Sequence, residues 1–164
     1  MILIGIGGNL DSPQYGPPRE TLTAALVALE ADGIEILARS GWYRTEPIPR
    51  SSQPWFLNAI VSIATSLGPE ELLAALQSTE TRFGRMRSEP NAARVLDLDL
   101  IDYQGKVMQT PSLVLPHPRL HQRRFVLAPL AEIAPDWRHP ISGLTAEQLL
   151  AQLSDEQPIE RLLC

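Results

Sequence analysis

The order of apolar patterns along the chain is the feature that most restricts its fold. Segments with strand-like and helix-like spacing follow one another in the order strand, helix, strand, strand, helix, strand. This order is the split βαβ arrangement of a ferredoxin-like α/β sandwich. We therefore predict an α+β fold with a mainly antiparallel sheet, in which two helices cover one face and the other face is free for ligands. The predicted elements are strands at 2–6, 34–44, 56–65 and 95–103, and helices that begin near Pro18 and at Pro69.

The C-terminal part is predicted to add smaller elements to this sandwich. A short strand is expected at 106–108, a short helix within 119–131, and a last helix from Thr145, where Thr145 and Gln148 have capping-box spacing. Since 164 residues fit one domain with its own core, we expect a single domain, 1–164.

Composition narrows the class of protein. No apolar run reaches the roughly 18 residues that a membrane helix needs, and the N-terminus has no basic signal region. The only cysteine is Cys164, so neither a disulfide framework nor a cysteine metal site is expected. We therefore expect a cytoplasmic protein.

The distribution of charge points to a compact anionic ligand. The net charge of −5 argues against a general nucleic-acid binder. The segment 82–124 nevertheless carries seven arginines and Lys106 against four acidic residues, a net charge of +4, which leaves −9 for the rest. Arginine binds phosphate oxygens in a bidentate manner. A solvated basic surface is the alternative.

Two carboxylates on one strand face are the strongest chemical signal. Within 94–100 the leucines alternate with Asp97 and Asp99, so the two aspartates share the face opposite the leucines. Charges ~7 Å apart repel by about 2 kcal/mol at an effective dielectric constant near 20, which folding alone does not reward. A divalent cation turns this repulsion into ligation by hard oxygens. A charged, solvent-facing strand edge is the alternative.

Basic residues surround this pair in the sequence. Arg85, Arg87 and Arg94 precede it directly and are predicted to hold phosphoryl oxygens next to the metal. His117 is a further candidate donor to a phosphate, or else a structural histidine. No P-loop is present, and Leu10 occupies the position of the third glycine of a dinucleotide fingerprint.

Five blocks of residues, in order, resemble the 6-hydroxymethyl-7,8-dihydropterin pyrophosphokinase family. The resemblance covers roughly the first 135 residues, and the agreement in order and spacing makes it specific. The blocks are Ile4-Gly5-Ile6-Gly7-Gly8-Asn9-Leu10, Tyr43-Arg44-Thr45-Glu46-Pro47, Phe56-Leu57-Asn58-Ala59, Arg94-Val95-Leu96-Asp97-Leu98-Asp99-Leu100, and Pro116-His117-Pro118-Arg119 with Arg123-Arg124-Phe125.

The resemblance implies transfer of pyrophosphate from ATP to the pterin's hydroxymethyl group, with release of AMP, in folate biosynthesis. It implies two Mg²⁺ held by Asp97 and Asp99, and stabilisation of the transferring group by Arg85 and Arg94 with help from Arg87. The other residues that match ATP-contacting positions are Gln77, Glu80, His117 and Arg123.

The resemblance also implies a pterin site. Phe56 and Phe125 match stacking aromatics, Asn58 matches the residue that pairs with the ring's polar edge, and backbone groups near Thr45 and Glu46 complete the site. The segment 88–93 lacks the Trp and Gly-Pro that many members carry in a mobile loop, so we expect weaker closure over the substrates.

Two other classes stay open from the sequence. A Mg²⁺-dependent nucleotidyltransferase uses carboxylates at the same spacing but releases pyrophosphate. A ferredoxin-like RNA-binding module needs a basic surface and stacking aromatics, whereas this chain is acidic with only nine aromatic residues. The expected partners are therefore the small molecules ATP and 6-hydroxymethyl-7,8-dihydropterin, with no nucleic acid and no membrane, and the protein is expected to be a monomer.

Overall fold

The computed structural model describes residues 1–47, 49–85, 92–154 and 157–163. The strands are β1 (Ile2–Gly8), β2 (Glu35–Arg39), β3 (Tyr43–Thr45), β4 (Phe56–Ala64), β5 (Asp97–Tyr103), β6 (Met108–Gln109), β7 (Val114–Leu115) and β8 (Ile159–Arg161). The helices are α1 (Pro18–Ala31), α2 (Pro69–Arg82), α3 (Arg124–Ile133) and α4 (Ala146–Ala151), with a 3₁₀ turn at Leu120–Gln122. None of the described helices is long and apolar enough to cross a membrane.

The sheet confirms the predicted fold class. Within the described residues its strands run in the order β5-β1-β4-β3-β8, and β2 also pairs with β4, all antiparallel. The four strands β5, β1, β4 and β2 with helices α1 and α2 form the split βαβ unit of a ferredoxin-like α+β fold. The strand β8 extends this sheet beyond β3.

Two apolar clusters lie on opposite faces of the sheet, because successive side chains of a strand alternate between its faces. Ile2, Ile4 and Ile6 of β1 pack with the inward sides of α1 and α2, as the sequence predicts. On the opposite face, Leu3 and its neighbours Ile60 and Ile101 pack against α3 and α4. The expectation of a wholly free second face is therefore wrong, because the apolar side of α3 covers half of it.

The predicted strand 34–44 is two strands rather than one. Ser40 lies at the break, where its hydroxyl accepts the N–H of Ile60 at 3.0 Å and donates to the carbonyl oxygen of Gly41 at 2.8 Å. The Ser40 side chain thus replaces one backbone hydrogen bond between the strands. As a result, β2 and β3 pair with separate parts of β4.

Other boundaries differ from the sequence prediction in smaller ways. The predicted helix within 119–131 is a 3₁₀ turn and α3, separated by Arg123, whose backbone is extended. The last helix has the predicted capping box, since the Thr145 hydroxyl accepts the N–H of Gln148 at 3.2 Å. The strand β8 was not predicted, because three residues at a sheet edge carry no recognisable alternation.

Candidate active site

A cavity of about 610 Å³ occupies the uncovered half of the second sheet face. Its floor is the end of β1, where Gly7 lies opposite Asn58 of β4 on one side and Asp97 of β5 on the other. The glycine has no side chain to fill the space, so the cavity reaches down to the sheet. The lining residues are Gly7, Thr45, Glu46, Pro49, Phe56, Asn58, Arg85, Arg94, Asp97, Asp99, His117, Arg119, Gln122, Arg123, Phe125 and Gln157.

Both aspartates of β5 face this cavity, as the alternation predicts. Asp97 accepts from the Arg85 guanidinium through Oδ1 at 2.8 Å and pairs with the Arg94 guanidinium through Oδ2 at 3.2 Å. Asp99 Oδ2 lies 3.9 Å from Nη1 of Arg123. The structure therefore gathers three arginines around the carboxylate pair, from three separate segments of the chain.

The environment of Asp99 suits a bound cation. Its position deep in the cavity, together with the neighbouring charge of Asp97, raises the pKa of Asp99 to about 7, and Arg123 acts in the opposite direction. Its ionised form therefore gains from additional positive charge. The described residues contain no group of three or more metal-ligating side chains. Mg²⁺ does not need one, since it is commonly held by one or two carboxylates together with substrate phosphates and water.

Glu80 has a buried, hydrogen-bonded carboxylate. It is buried, its Oε2 accepts the backbone N–H of Leu98 at 2.8 Å, and it also accepts from Arg85. Burial raises the pKa of Glu80 to about 7, and the hydrogen bond from Leu98 opposes that rise. Gln77, one turn earlier, is exposed, and neither side chain lines the cavity. The ATP contacts predicted for Gln77 and Glu80 stay predictions, and in this structure the Glu80 carboxylate supports Arg85.

His117 lines the cavity as a neutral hydrogen-bond donor. Burial and the positive charge of Arg123 lower its pKa to about 4. Its Nδ1 accepts the backbone N–H of Arg119 at 3.1 Å, which leaves the proton of the neutral ring on Nε2. The ring can therefore donate to an oxygen of an anionic ligand without carrying a charge.

The other half of the cavity is aromatic and amide-lined. It contains Phe56, Phe125, Asn58, Thr45 and Glu46, and these are the residues that the sequence predicts for pterin binding. The Asn58 side-chain amide donates from Nδ2 to the Thr45 hydroxyl at 2.7 Å, which fixes its orientation and leaves its carbonyl oxygen available.

Asn9 connects the two halves and was not singled out as a site residue. It is buried, and its Nδ2 donates to the Pro54 carbonyl oxygen at 2.9 Å and to Gln53 Oε1 at 2.8 Å. Its Oδ1 accepts the backbone N–H of Arg94 at 2.8 Å. One side chain thus holds the loop before β4 and the entrance to β5 together.

Some predicted site residues lie outside the part of the chain that the structure describes. Conversely, some residues that line the cavity were not predicted. Arg87 and most of the segment 88–93 lie outside the described residues. Arg119 and Gln122 line the cavity, and Arg119 stands in a block of the family resemblance that could have indicated it. Gln157 also lines the cavity, but no pattern in its part of the sequence points to a site.

The close approach at Gly7 gives a test of the aromatic half, where the sequence predicts the pterin. A Cβ at Gly7 would lie 2.2 Å from Oδ1 of Asn58, so Gly7→Ala must displace that amide. We expect a rise of about tenfold in KM for the pterin, since one positioned hydrogen bond is lost. Gly5→Ala is the matched control, because its Cβ would make ordinary contacts of 3.6 Å with Ile60 and Ile101. Steady-state kinetics check this, and an unchanged KM in Gly7→Ala contradicts it.

The fold is a ferredoxin-like sandwich, and its cavity joins paired carboxylates and arginines to an aromatic pocket. This combination is typical of enzymes that transfer a phosphoryl-type group to a substrate with a flat ring. The profile of the family 7,8-dihydro-6-hydroxymethylpterin-pyrophosphokinase (HPPK) matches residues 3–135. The chain therefore belongs to the HPPK family. It is an ATP-dependent diphosphotransferase that transfers pyrophosphate to hydroxymethyldihydropterin in folate biosynthesis.

Individual relatives agree with this membership. The chain is 43% identical over 152 residues to the 2-amino-4-hydroxy-6-hydroxymethyldihydropteridine pyrophosphokinase of Synechocystis, a match that spans 92% of this chain and 75% of that protein. It is 42% identical over 160 residues to the protein of the same name from Methylorubrum extorquens, over 97% and 96% of the two chains. It is also 35% identical over 154 residues to the folic acid synthesis protein fol1 of Pneumocystis carinii, over 94% of this chain and 20% of that protein.

Proposed function

We propose that the two halves of the cavity bind the two substrates, so that the pterin's hydroxymethyl oxygen meets the β-phosphorus of ATP above Gly7. The observation that carries this proposal is the register of the sheet, in which Gly7 separates Asn58 from Asp97 on directly neighbouring strands. An amide suited to a heterocycle and a carboxylate suited to a metal-bound phosphate thus flank one point. Holding two reactants in this way is a large part of catalysis by phosphoryl-transfer enzymes.

The pterin is assigned to the aromatic half. Phe56 and Phe125 offer π faces for a flat ring, and Asn58 offers a fixed carbonyl oxygen to its polar edge. Backbone groups of Thr45 and Glu46 line the same end and complete the recognition. This arrangement would leave the hydroxymethyl substituent directed toward β5.

The triphosphate is assigned to the charged half. Asp97 and Asp99 would hold two Mg²⁺, and these ions would neutralise charge on the ATP phosphates when bound. Arg85 and Arg94 donate to the oxygens of the transferring group, and Arg87 is proposed to assist. Glu80 holds Arg85 in place through its buried carboxylate, which is a positioning role.

The remaining ATP contacts are proposed for the rim of the cavity. His117 donates from Nε2, and Arg123 lies beside Asp99, so both are placed to bind phosphate oxygens. ATP contacts by Gln77 and Glu80 would require the nucleotide to reach over α2 and stay predictions. In the reaction, the hydroxymethyl oxygen forms a bond to the β-phosphorus and releases its proton to solvent. The bond from that phosphorus to the oxygen shared with the α-phosphate breaks, and AMP leaves with that oxygen.

The products decide between this reaction and nucleotidyl transfer. We expect the protein with ATP, Mg²⁺ and 6-hydroxymethyl-7,8-dihydropterin to release AMP and form the pterin diphosphate, measured by chromatography. Omission of Mg²⁺ or addition of a chelator is expected to stop AMP formation. Release of pyrophosphate, or no AMP from folded protein, contradicts the proposal.

If His117 is neutral, the stability of the fold and the activity should depend on pH in a defined way. Because its folded pKa of about 4 lies below the ordinary value of 6.5, protonation of the ring destabilises the fold, increasingly so as pH falls from 6.5 toward 4. We expect the NMR titration of His117 to have its midpoint near pH 4. His117→Ala should lower kcat/KM for ATP by about tenfold with an unchanged pH profile between roughly pH 5.5 and 8. The exposed His121→Ala is the control, and a His117 midpoint near 6.5 contradicts the neutral role.

The proposal also covers the domain organisation, the oligomeric state and the cellular location of the enzyme. We infer a single domain over 1–164 that works as a monomer in the cytoplasm. The pairing of β8 with β3 supports the single domain, because it joins the end of the described chain to the same sheet that carries the site.

A further inference from the structure

Arg119 lines the cavity, and its guanidinium differs from those of the other cavity arginines in its surroundings. Arg85 and Arg94 contact Asp97. Arg123 lies 3.9 Å from the second carboxylate of β5. The Arg119 side chain is exposed and makes no hydrogen bond or ion pair with the part of the chain that the structure describes. Its positive charge is therefore available to a ligand in the cavity.

The backbone of Arg119 is held on both sides. Its N–H donates to His117 Nδ1 at 3.1 Å, and its carbonyl oxygen accepts the N–H of Gln122 at 3.0 Å. Burial is the largest cause of the lowered pKa values of His117 and Arg123, and the positive charge of Arg119 lowers both pKa values further. Three donors to an anion therefore lie near one another in the segment 117–123.

The segment 117–123 begins beside β5. The backbone N–H of His117 donates to the Ile101 carbonyl oxygen of β5 at 2.9 Å. Among the described strands, β5 is at one end of the sheet, with β1 and then β4 beside it. The order across the sheet is therefore β4 with Asn58, β1 with Gly7, and β5 with the start of this segment.

This order indicates where the leaving group of the reaction lies. In phosphoryl transfer the attacking and the leaving oxygen are roughly in line, on opposite sides of the phosphorus. The proposed function places the pterin oxygen on the β4 side of Gly7, with the β-phosphorus above that residue. The α-phosphate then lies on the β5 side, where the segment 117–123 begins.

We propose that Arg119 binds the α-phosphate of ATP and stabilises the negative charge that this phosphate gains as AMP leaves. This inference rests on the proposed function. When the bond between the β-phosphorus and the bridging oxygen breaks, its electron pair stays on that oxygen. AMP therefore leaves with more negative charge on its phosphate than the same phosphate had within ATP. A guanidinium at this point binds the leaving group more strongly than the substrate, which lowers the barrier.

Binding of AMP and of adenosine tests this contact without turnover. Arg119→Met removes the guanidinium and keeps an unbranched apolar chain. We expect this change to raise the Kd of AMP from calorimetry by about tenfold, and the Kd of adenosine to stay within about twofold. Arg119→Lys should recover only part of the AMP affinity, since a point charge replaces a planar group with paired donors. In turnover, Arg119→Met is expected to lower kcat by about tenfold with little change in KM for the pterin.

The same measurements give the outcomes that overturn the proposal. Unchanged AMP affinity in Arg119→Met would mean that the guanidinium is only solvated, and an equal loss for adenosine would mean that no phosphate contact was removed. An equal loss of affinity for inorganic pyrophosphate would place Arg119 on the transferred group instead. Arg19→Met, at an exposed arginine of α1 outside the cavity lining, is the matched control, and Arg119→Gln replaces Arg119→Met if that variant does not fold. Failure of the unchanged protein to release AMP from ATP would instead contradict the proposed function.

Discussion

Asp97→Asn and Asp99→Asn are each expected to lower kcat by about 10³-fold while the protein stays folded. Each change removes one negative charge and keeps the shape of the side chain. Asp97 is the charge on which Arg85 and Arg94 converge, and Asp99 is the partly buried neighbour whose pKa is raised to about 7. With either carboxylate neutral, the cavity is expected to hold divalent cations more weakly, and its arginines lose a counter-charge.

The measurement is AMP release as a function of Mg²⁺ concentration. Both variants are expected to need more Mg²⁺ for half-maximal turnover, because each lacks one of the two carboxylates proposed to hold the metal. The apparent affinity for the pterin is expected to change little. Asp136→Asn is the control, since Asp136 is exposed and lies outside the cavity lining. Retention of more than about a tenth of the normal turnover with an unchanged Mg²⁺ requirement contradicts the metal assignment.

Arg94→Met is expected to have the second largest effect, a loss of about 10²-fold in kcat with little change in KM for the pterin. The guanidinium lies at the entrance of β5, 3.2 Å from Asp97 Oδ2. There it can stabilise the negative charge that develops on the β-phosphoryl group during transfer. Arg94→Lys should recover only part of the loss, since a point charge replaces a planar group with paired donors.

The backbone at Arg94 makes this variant a clean test. Its N–H donates to Asn9 Oδ1 and its carbonyl oxygen accepts the N–H of Asn9 at 2.9 Å, and neither bond depends on the arginine side chain. The strand entrance should therefore stay in place, which circular dichroism and the melting temperature will verify. Arg82→Met, at an exposed arginine paired with Asp32, is the control. Equal losses in the two variants would contradict a direct role for Arg94 in transfer.

The split of the site into two halves follows from simple properties of the sheet. Antiparallel pairing places the end of β1 beside the beginnings of both β4 and β5, so residues far apart in sequence become direct neighbours. Gly7 keeps the floor between them clear. A longer side chain there would not only narrow the cavity but also displace Asn58, which couples the shape of the floor to the position of that amide.

Several features of the fold and of the site could be predicted from local sequence patterns. Period-2 alternation at 94–100 correctly assigned Asp97 and Asp99 to one face, because strand geometry leaves no other option. The helices that begin at Pro18 and Pro69 were predicted correctly, since a proline in the first turn and a regular apolar stripe are both local properties. The resemblance in five blocks then supplied the candidate residues of both halves of the cavity.

Features that depend on contacts distant in sequence could not be predicted in this way. Glu80 has helical spacing that fits a ligand contact, but only tertiary packing turns its carboxylate onto the Leu98 N–H and Arg85. The covering of half the second face by α3 likewise depends on Leu3, Ile60 and Ile101, which come from three different strands.

By itself, the sequence determined the fold class, the shared face of the two aspartates and the family, because these depend on periodicity and on the order of short blocks. Only the tertiary structure decided which side chains meet in one cavity, that Glu80 supports Arg85, and that Gln157 joins the lining of the cavity. The physical reason is that burial and hydrogen-bond satisfaction are properties of neighbours in space. Residues 45 and 157 become neighbours only when β8 pairs with β3.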